Sequence, residues 1–189
     1  LTRITRGHQL RNLTSKIAFI STVCVSIALS GCQTAEVGKK DPKKATQVRT
    51  QLAVEYLKTG DLDSAKRALD EALKINSRDA QANMMMGVLL QQEGSRLNLD
   101  RAETYFKRAI SAEPKNAQAR NNYGTYLYQL ERYNDAIEQF AIAGATLGYD
   151  QRYLALENMG RIYLKQGDLV NAEKSFKQAL QANRASYIS

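Results

Sequence analysis

Between residues 46 and 186 the chain repeats one arrangement of small and large apolar residues four times, and this period restricts its fold more than any other feature. A small residue recurs at Ala53, Gly87, Gly124 and Gly160, at spacings of 34, 37 and 36 residues. A second small series, Ala65, Ala102, Ala136 and Ala172, is spaced by 37, 34 and 36. Four residues beyond each member of that series stand Leu69, Phe106, Phe140 and Phe176, and three beyond those stand Ala72, Ala109, Ala143 and Ala179. The length differences are confined to two places, after Gly94 and around Leu147-Gly148-Tyr149. Insertions restricted to turns are what a stack of helices tolerates.

The columns describe a unit of two helices, neither of which can bury its apolar stripe alone. Small residues at Ala53, Gly87, Gly124 and Gly160 let helix backbones approach closely. Large residues at Leu69, Phe106, Phe140 and Phe176 fill the space between neighbours, so that stacking builds one continuous core. Gly60-Asp61 and Gly167-Asp168 each supply a helix stop followed by an N-cap, and Pro114 terminates the second helix of unit two. Met84, Met85 and Met86, with the tyrosines at 123, 126, 128 and 163, are expected to be mostly core or inter-repeat packing. The four concordant columns resemble the tetratricopeptide repeat, which implies an all-α solenoid. The expected units are 46–79, 80–116, 117–152 and 153–186, with residues 187–189 as the start of a truncated further helix. Leu1 is no initiator Met, which a truncated end or a non-AUG start would explain, and Tyr187-Ile188-Ser189 falls where a fifth first helix would begin, so truncation is expected at the C-terminus.

Ahead of the array, Arg3, Arg6, Arg11 and Lys16 form a basic segment without acids, and residues 17–30 carry no charge. This is the arrangement of a secretory signal. The apolar run is about 14 residues, short of the roughly 20 that a spanning helix needs. Leu29-Ser30-Gly31-Cys32 resembles a bacterial lipobox, which implies removal of 1–31 and lipid attached to Cys32. A transmembrane anchor, or an ordinary signal in which Cys32 is incidental, are the alternatives. By the same resemblance Gln33, in place of Asp, points to sorting to the outer membrane, with several acyl chains at one residue for stable anchoring. The segment 32–45 is then lipidated Cys and flexible linker, polar and broken by Gly38 and Pro42.

Composition narrows the functional classes. The formal charge of +8 falls to +4 once four of the 27 basic residues leave with 1–31, because none of the 19 acidic ones do. The remaining charges are interspersed as on a solvated helical surface, which argues against nucleic acid as a partner. Cys24 and the single histidine, His8, lie in the signal, and Cys32 would be acylated. The expected mature chain therefore has no disulfide, no His/Cys metal cluster, no thiol nucleophile and no histidine base. No enzyme is expected, and no cofactor other than the covalent lipid.

Tetratricopeptide arrays bind peptides or partner domains on a concave face lined by the first helix of each unit. The resemblance places Val54, Leu57, Met84, Val88, Asn121, Thr125, Tyr128, Leu154, Glu157, Arg161 and Leu164 on that face. Asn122 and Asn158 occupy equivalent positions in adjacent units; an amide there either serves an extended peptide backbone or bonds a neighbouring helix or water. Thr50 and Val54 stand where arrays that clamp a chaperone C-terminal carboxylate carry Lys and Asn, so such tails are poor ligands.

Residues 121–132 (NNYGTYLYQLER) and 156–180 (LENMGRIYLKQGDLVNAEKSFKQAL), with the lipobox, resemble the type IV pilus biogenesis lipoproteins of the PilF/PilW family. The resemblance departs at the C-terminus, where that family continues through further repeats. It implies a pilotin, anchored in the inner leaflet of the outer membrane and facing the periplasm. Its expected partners are the secretin subunit, the lipoprotein processing and sorting machinery, and outer-membrane lipid through the anchor. The alternative is an anchored scaffold for cell-wall (peptidoglycan) enzymes.

Overall fold

The computed structural model describes residues 41–186. The expected lipoprotein signal, Cys32 and the helix start expected at 187–189 lie outside the described residues. Among those described, the chain forms eight helices and no strands: α1 Pro42–Thr59, α2 Leu62–Ile75, α3 Ala80–Glu93, α4 Arg96–Ala112, α5 Ala117–Gln129, α6 Tyr133–Ala145, α7 Arg152–Lys165 and α8 Leu169–Ser186. The fold is the all-α repeat array that the columns require.

The turns follow from local chemistry. Gly60 ends α1 in the left-handed conformation at φ 78°, and its N–H donates to Leu57; the Asp61 carboxylate then accepts from the Ser64 N–H. Asp79 and Asn116 cap α3 and α5 in the same way. The column of Gly60, Gly94 and Gly167 is broken once, at Glu131, which is left-handed without being glycine (φ 59°).

One expected boundary is corrected. The linker was placed over 32–45, but α1 already begins at Pro42. Asp41 is its N-cap, accepting from the N–H groups of Lys43 and Lys44, and Pro42 occupies the first turn, where its missing N–H costs nothing. Pro42 reads as a breaker in the linker and acts as a helix starter.

Each pair of helices packs on itself and on the first helix of the next unit. The first helices also touch one another, α1 with α3, α3 with α5 and α5 with α7, whereas among the described residues the second helices do not meet. The first helices therefore line the inner face. The small columns set the closeness of packing: a Cβ placed on Gly87, Gly124 or Gly160 would meet the ring of Phe106, Phe140 or Phe176 at 2.8–2.9 Å. Phe106 and Phe140 are fully enclosed, as are Ala53 and Leu69, the equivalent pair of unit one. Met84, Met86, Tyr123 and Tyr126 join this core; Met85 and Tyr163 are half-buried, and Tyr128 is exposed.

Candidate functional site

The inner face is built from α1, α3, α5 and α7, on which residues three or four apart share one stripe. Val54 and Leu57 are half-buried on α1, and Val88 on α3. On α5, Asn122 and Thr125 are half-buried and Tyr128 is exposed. On α7, Leu154, Glu157 and Asn158 are half-buried, with Arg161 and Leu164 exposed. Arg161 donates to Glu157 at 2.7 Å, so this end of the stripe is a neutralised pair beside a bare leucine. Neither Asn122 nor Asn158 makes a side-chain hydrogen bond among the described residues.

Met84 departs from the expectation. It has 0% exposure and belongs to the core, not to a binding surface. Its helix, α3, is flanked by first helices on both sides, and the long flexible thioether fills the gap between them. The equivalent positions in units one and three are Thr50 and Asn121, both buried. Thr50 satisfies its hydroxyl by donating to the Thr46 carbonyl at 3.0 Å. Asn121 has no such recourse: its Oδ1 is shielded and without a partner. An orphaned buried acceptor costs about 1–3 kcal/mol.

The outer rim of the groove holds residues that the stripe alone does not reveal. Tyr133, at the start of α6, packs its ring 5.8 Å from that of Tyr128, and the Lys165 ammonium sits 4.8 Å from the Tyr133 centroid while donating to its hydroxyl. That hydrogen bond holds the ammonium above the usual lysine range. Together with Leu164, these residues form an aromatic and aliphatic patch with one cation, able to take an apolar side chain beside a carboxylate or carbonyl. The available signal was positional: Tyr133 and Lys165 bound the turns that end the α5 and α7 stripes.

Behind the groove, units two and three are clasped. Glu103 of α4 accepts from Tyr123 of α5, from Arg132 at the start of α6 and from Lys107 on its own helix, each at 2.9 Å. Burial pushes the Glu103 carboxyl up, but the hydrogen bonds from Lys107, Arg132 and Tyr123 outweigh it and hold it down to about 2. Burial and the same carboxylate raise Tyr123. Tyr126 donates its hydroxyl to the Leu99 carbonyl at 2.9 Å, and its ring lies 5.5 Å from Phe106. The rigid wall of the groove is thus tied down from its outer side.

Among the described residues no group of three His, Cys, Asp or Glu side chains could hold a metal ion, and no helix is long and apolar enough to cross a membrane. Models of the tetratricopeptide repeat match residues 46–79, 94–146 and 153–186. The chain belongs to the tetratricopeptide-repeat family. Its array is similar to the type IV pilus assembly protein PilF of Pseudomonas aeruginosa, 29% identical over 167 residues that cover 85% of this chain and 64% of PilF. The solved structure of Pseudomonas aeruginosa PilF superposes with a TM-score of 0.72 at 30% identity, covering 77% of this chain and 64% of that one. The structure of PilW, a type IV pilus biogenesis factor, matches at a TM-score of 0.66 and 31% identity over 72% of this chain and 61% of that one. This tetratricopeptide-repeat chain therefore spans a little under two-thirds of the length of these relatives.

Proposed function

We propose that this protein is a lipoprotein of type IV pilus assembly that acts as a pilotin. Cys32 carries the lipid, the array binds a secretin subunit, and the sorting route for lipoproteins takes both to the inner leaflet of the outer membrane, where the secretin multimerises. The observation that carries the reading is the likeness to PilF and PilW across most of the array. The lipobox at 29–32 supports it from the other end of the chain. The mechanism is recognition and delivery, with no bond made or broken. Val54, Leu57 and Val88 offer an apolar start to the groove, Asn122, Thr125 and Asn158 offer hydrogen bonds, and Tyr128 and Leu164 close it at the rim.

Affinity capture from envelope extracts tests the reading. The protein should retrieve a secretin, and Val54→Asp or Tyr128→Ala should reduce the yield. Retrieval of peptidoglycan hydrolases or synthases without secretin, together with intact pili in a deletion strain, would replace it with the cell-wall scaffold. Cys32→Ser should abolish acyl labelling and leave secretin multimers lost or mislocalised; normal membrane fractionation of that variant would remove the anchor.

A further inference from the structure

The turns that lead from each second helix to the next first helix lie along one edge of the array, and α1 starts there. Asp41, Pro42 and Lys43 border the same cleft as residues 75–76 and 78–80 and as Ala112 and Glu113. Beside it Arg78 and Arg108 share a second cleft with Ser77 and Ser111. This edge carries exposed Lys43, Lys44, Lys74, Arg78, Arg108 and Lys115. Among the described residues none of these six side chains meets a carboxylate; Arg108 lies over the Tyr105 ring at 5.3 Å. Asp41 accepts from Lys43 N–H, Asp79 from Ala82 N–H and Glu113 from the Asn116 amide, and Asp150 is exposed at the last of these turns, so the six cations stand against four carboxylates. Two apolar side chains stand out at turns of this edge, Ile75 at 38% exposure and Leu147 at 81%. The opposite edge is acidic in balance, with Asp61, Asp63, Glu93, Glu131, Asp135 and Asp168 at its turns.

We propose that this basic edge seats the array on the surface of an anionic phospholipid bilayer. The proposal takes its reach from Cys32 as the anchor. The nine residues 33–41 between that cysteine and α1 span about 30 Å fully extended and about 17 Å as a flexible coil. They add Lys39 and Lys40 to the path. The edge from which α1 emerges is therefore the part of the array that the anchor holds nearest to the headgroups. Guanidinium and hydroxyl donors at Arg78, Arg108, Ser77 and Ser111 suit a phosphodiester. The other cations are spread over the start of α1 and two turns, as a flat lattice of charge favours. Seated this way, the long axes of the helices stand off the membrane, and the acidic edge points into the aqueous space.

The test uses residues 32–189 with Cys32→Ser, which keep the whole compact unit and carry no lipid. Co-sedimentation is measured with vesicles of phosphatidylethanolamine and phosphatidylglycerol, three parts to one, and with vesicles in which phosphatidylcholine replaces the phosphatidylglycerol. Binding should appear with the anionic vesicles, weaken about tenfold or more with the neutral ones, and fall as salt rises. The triple variant Lys74→Gln, Arg78→Gln, Lys115→Gln should lose most of it. The variant Lys58→Gln, Arg67→Gln, Arg96→Gln, which removes as much charge from the other edge, should stay within about twofold of the parent. Circular dichroism verifies that each variant is folded. No binding, equal binding to both vesicles, or an equal fall in both variants overturns the proposal. Acyl labelling of Cys32 in cells reads the anchor separately, so a failed anchor and a failed edge give different results.

Discussion

Placing a methyl group on Gly124 probes the packing rule that the array is built on. A Cβ there would stand 2.8 Å from Cδ1 and Cε1 of Phe140, whereas carbon atoms prefer about 3.5–4.0 Å. The ring is 1% exposed and enclosed in the core, so the ring or the backbones of α5 and α6 must shift. Such overpacking costs about 1–3 kcal/mol, against a gain of about 1 kcal/mol for removing a glycine from a helix interior. Gly124→Ala should therefore lose up to about 2 kcal/mol, and up to about 6 °C in Tm. Unit one shows the escape, because Ala53 is paired there with Leu69, both fully enclosed. Phe140→Leu alone should cost about 1 kcal/mol through lost burial. Adding it to Gly124→Ala should relieve the clash, leaving the double variant at least about 1 kcal/mol more stable than the sum of the singles. Urea melts followed by circular dichroism measure the cycle, with hydrogen exchange in α5 and α6 to detect unit-by-unit opening. A rise in stability for Gly124→Ala, or additivity within about 0.3 kcal/mol, would refute the reasoning.

Glu103 should make the array acid-sensitive. Its folded value of about 2 lies below the ordinary 4.5, so the clasp contributes fully above the ordinary value and is lost as pH falls from there toward 2. Thermal melts across that window should show a loss on the order of 2–3 kcal/mol from this group, and Glu103→Gln should flatten that part of the profile. Glu131→Gly should raise stability by about 0.5–1 kcal/mol, since the left-handed backbone costs a side-chain-bearing residue about 1–2 kcal/mol. Among the described residues the ion pair lost is Glu131 with Lys165 at 4.0 Å, on an exposed side chain; an unchanged or lower melting midpoint would contradict the strain. Asn121→Thr should be neutral or stabilising by up to about 1 kcal/mol, because a hydroxyl can bond the preceding turn as Thr50 does and no orphaned oxygen remains. A lower melting midpoint would show that the amide has an internal partner.

The helices and their core were legible because each column names a contact between neighbours. Gly87 with Phe106, Gly124 with Phe140 and Gly160 with Phe176 are periodic in the sequence because the stacking is periodic in space. Boundaries were less legible: Pro42 as a helix starter depends on Asp41 before it, a local cap that carries no period. The clasp was invisible for a different reason. Glu103, Tyr123 and Arg132 come from three helices and occur once, so no alignment of the units marks them.

The groove is legible only in part for a related physical reason. A repeat column reports what packs against the next unit, and positions facing a partner are free to vary between units. Met84, Asn121 and Glu157 occupy one column and are core, orphaned amide and surface acid respectively, so the column predicts a place in the helix but not its chemistry. Exposure at a given place is decided by how tightly the flanking first helices close over it, which depends on side chains in two other units. Function in such an array must therefore be sought where the period fails on the surface: at Glu131 in a glycine column and at Leu147 in an inserted turn. Stability variants at the columns should leave partner yield per folded molecule unchanged, whereas variants at these departures should alter it with the fold intact.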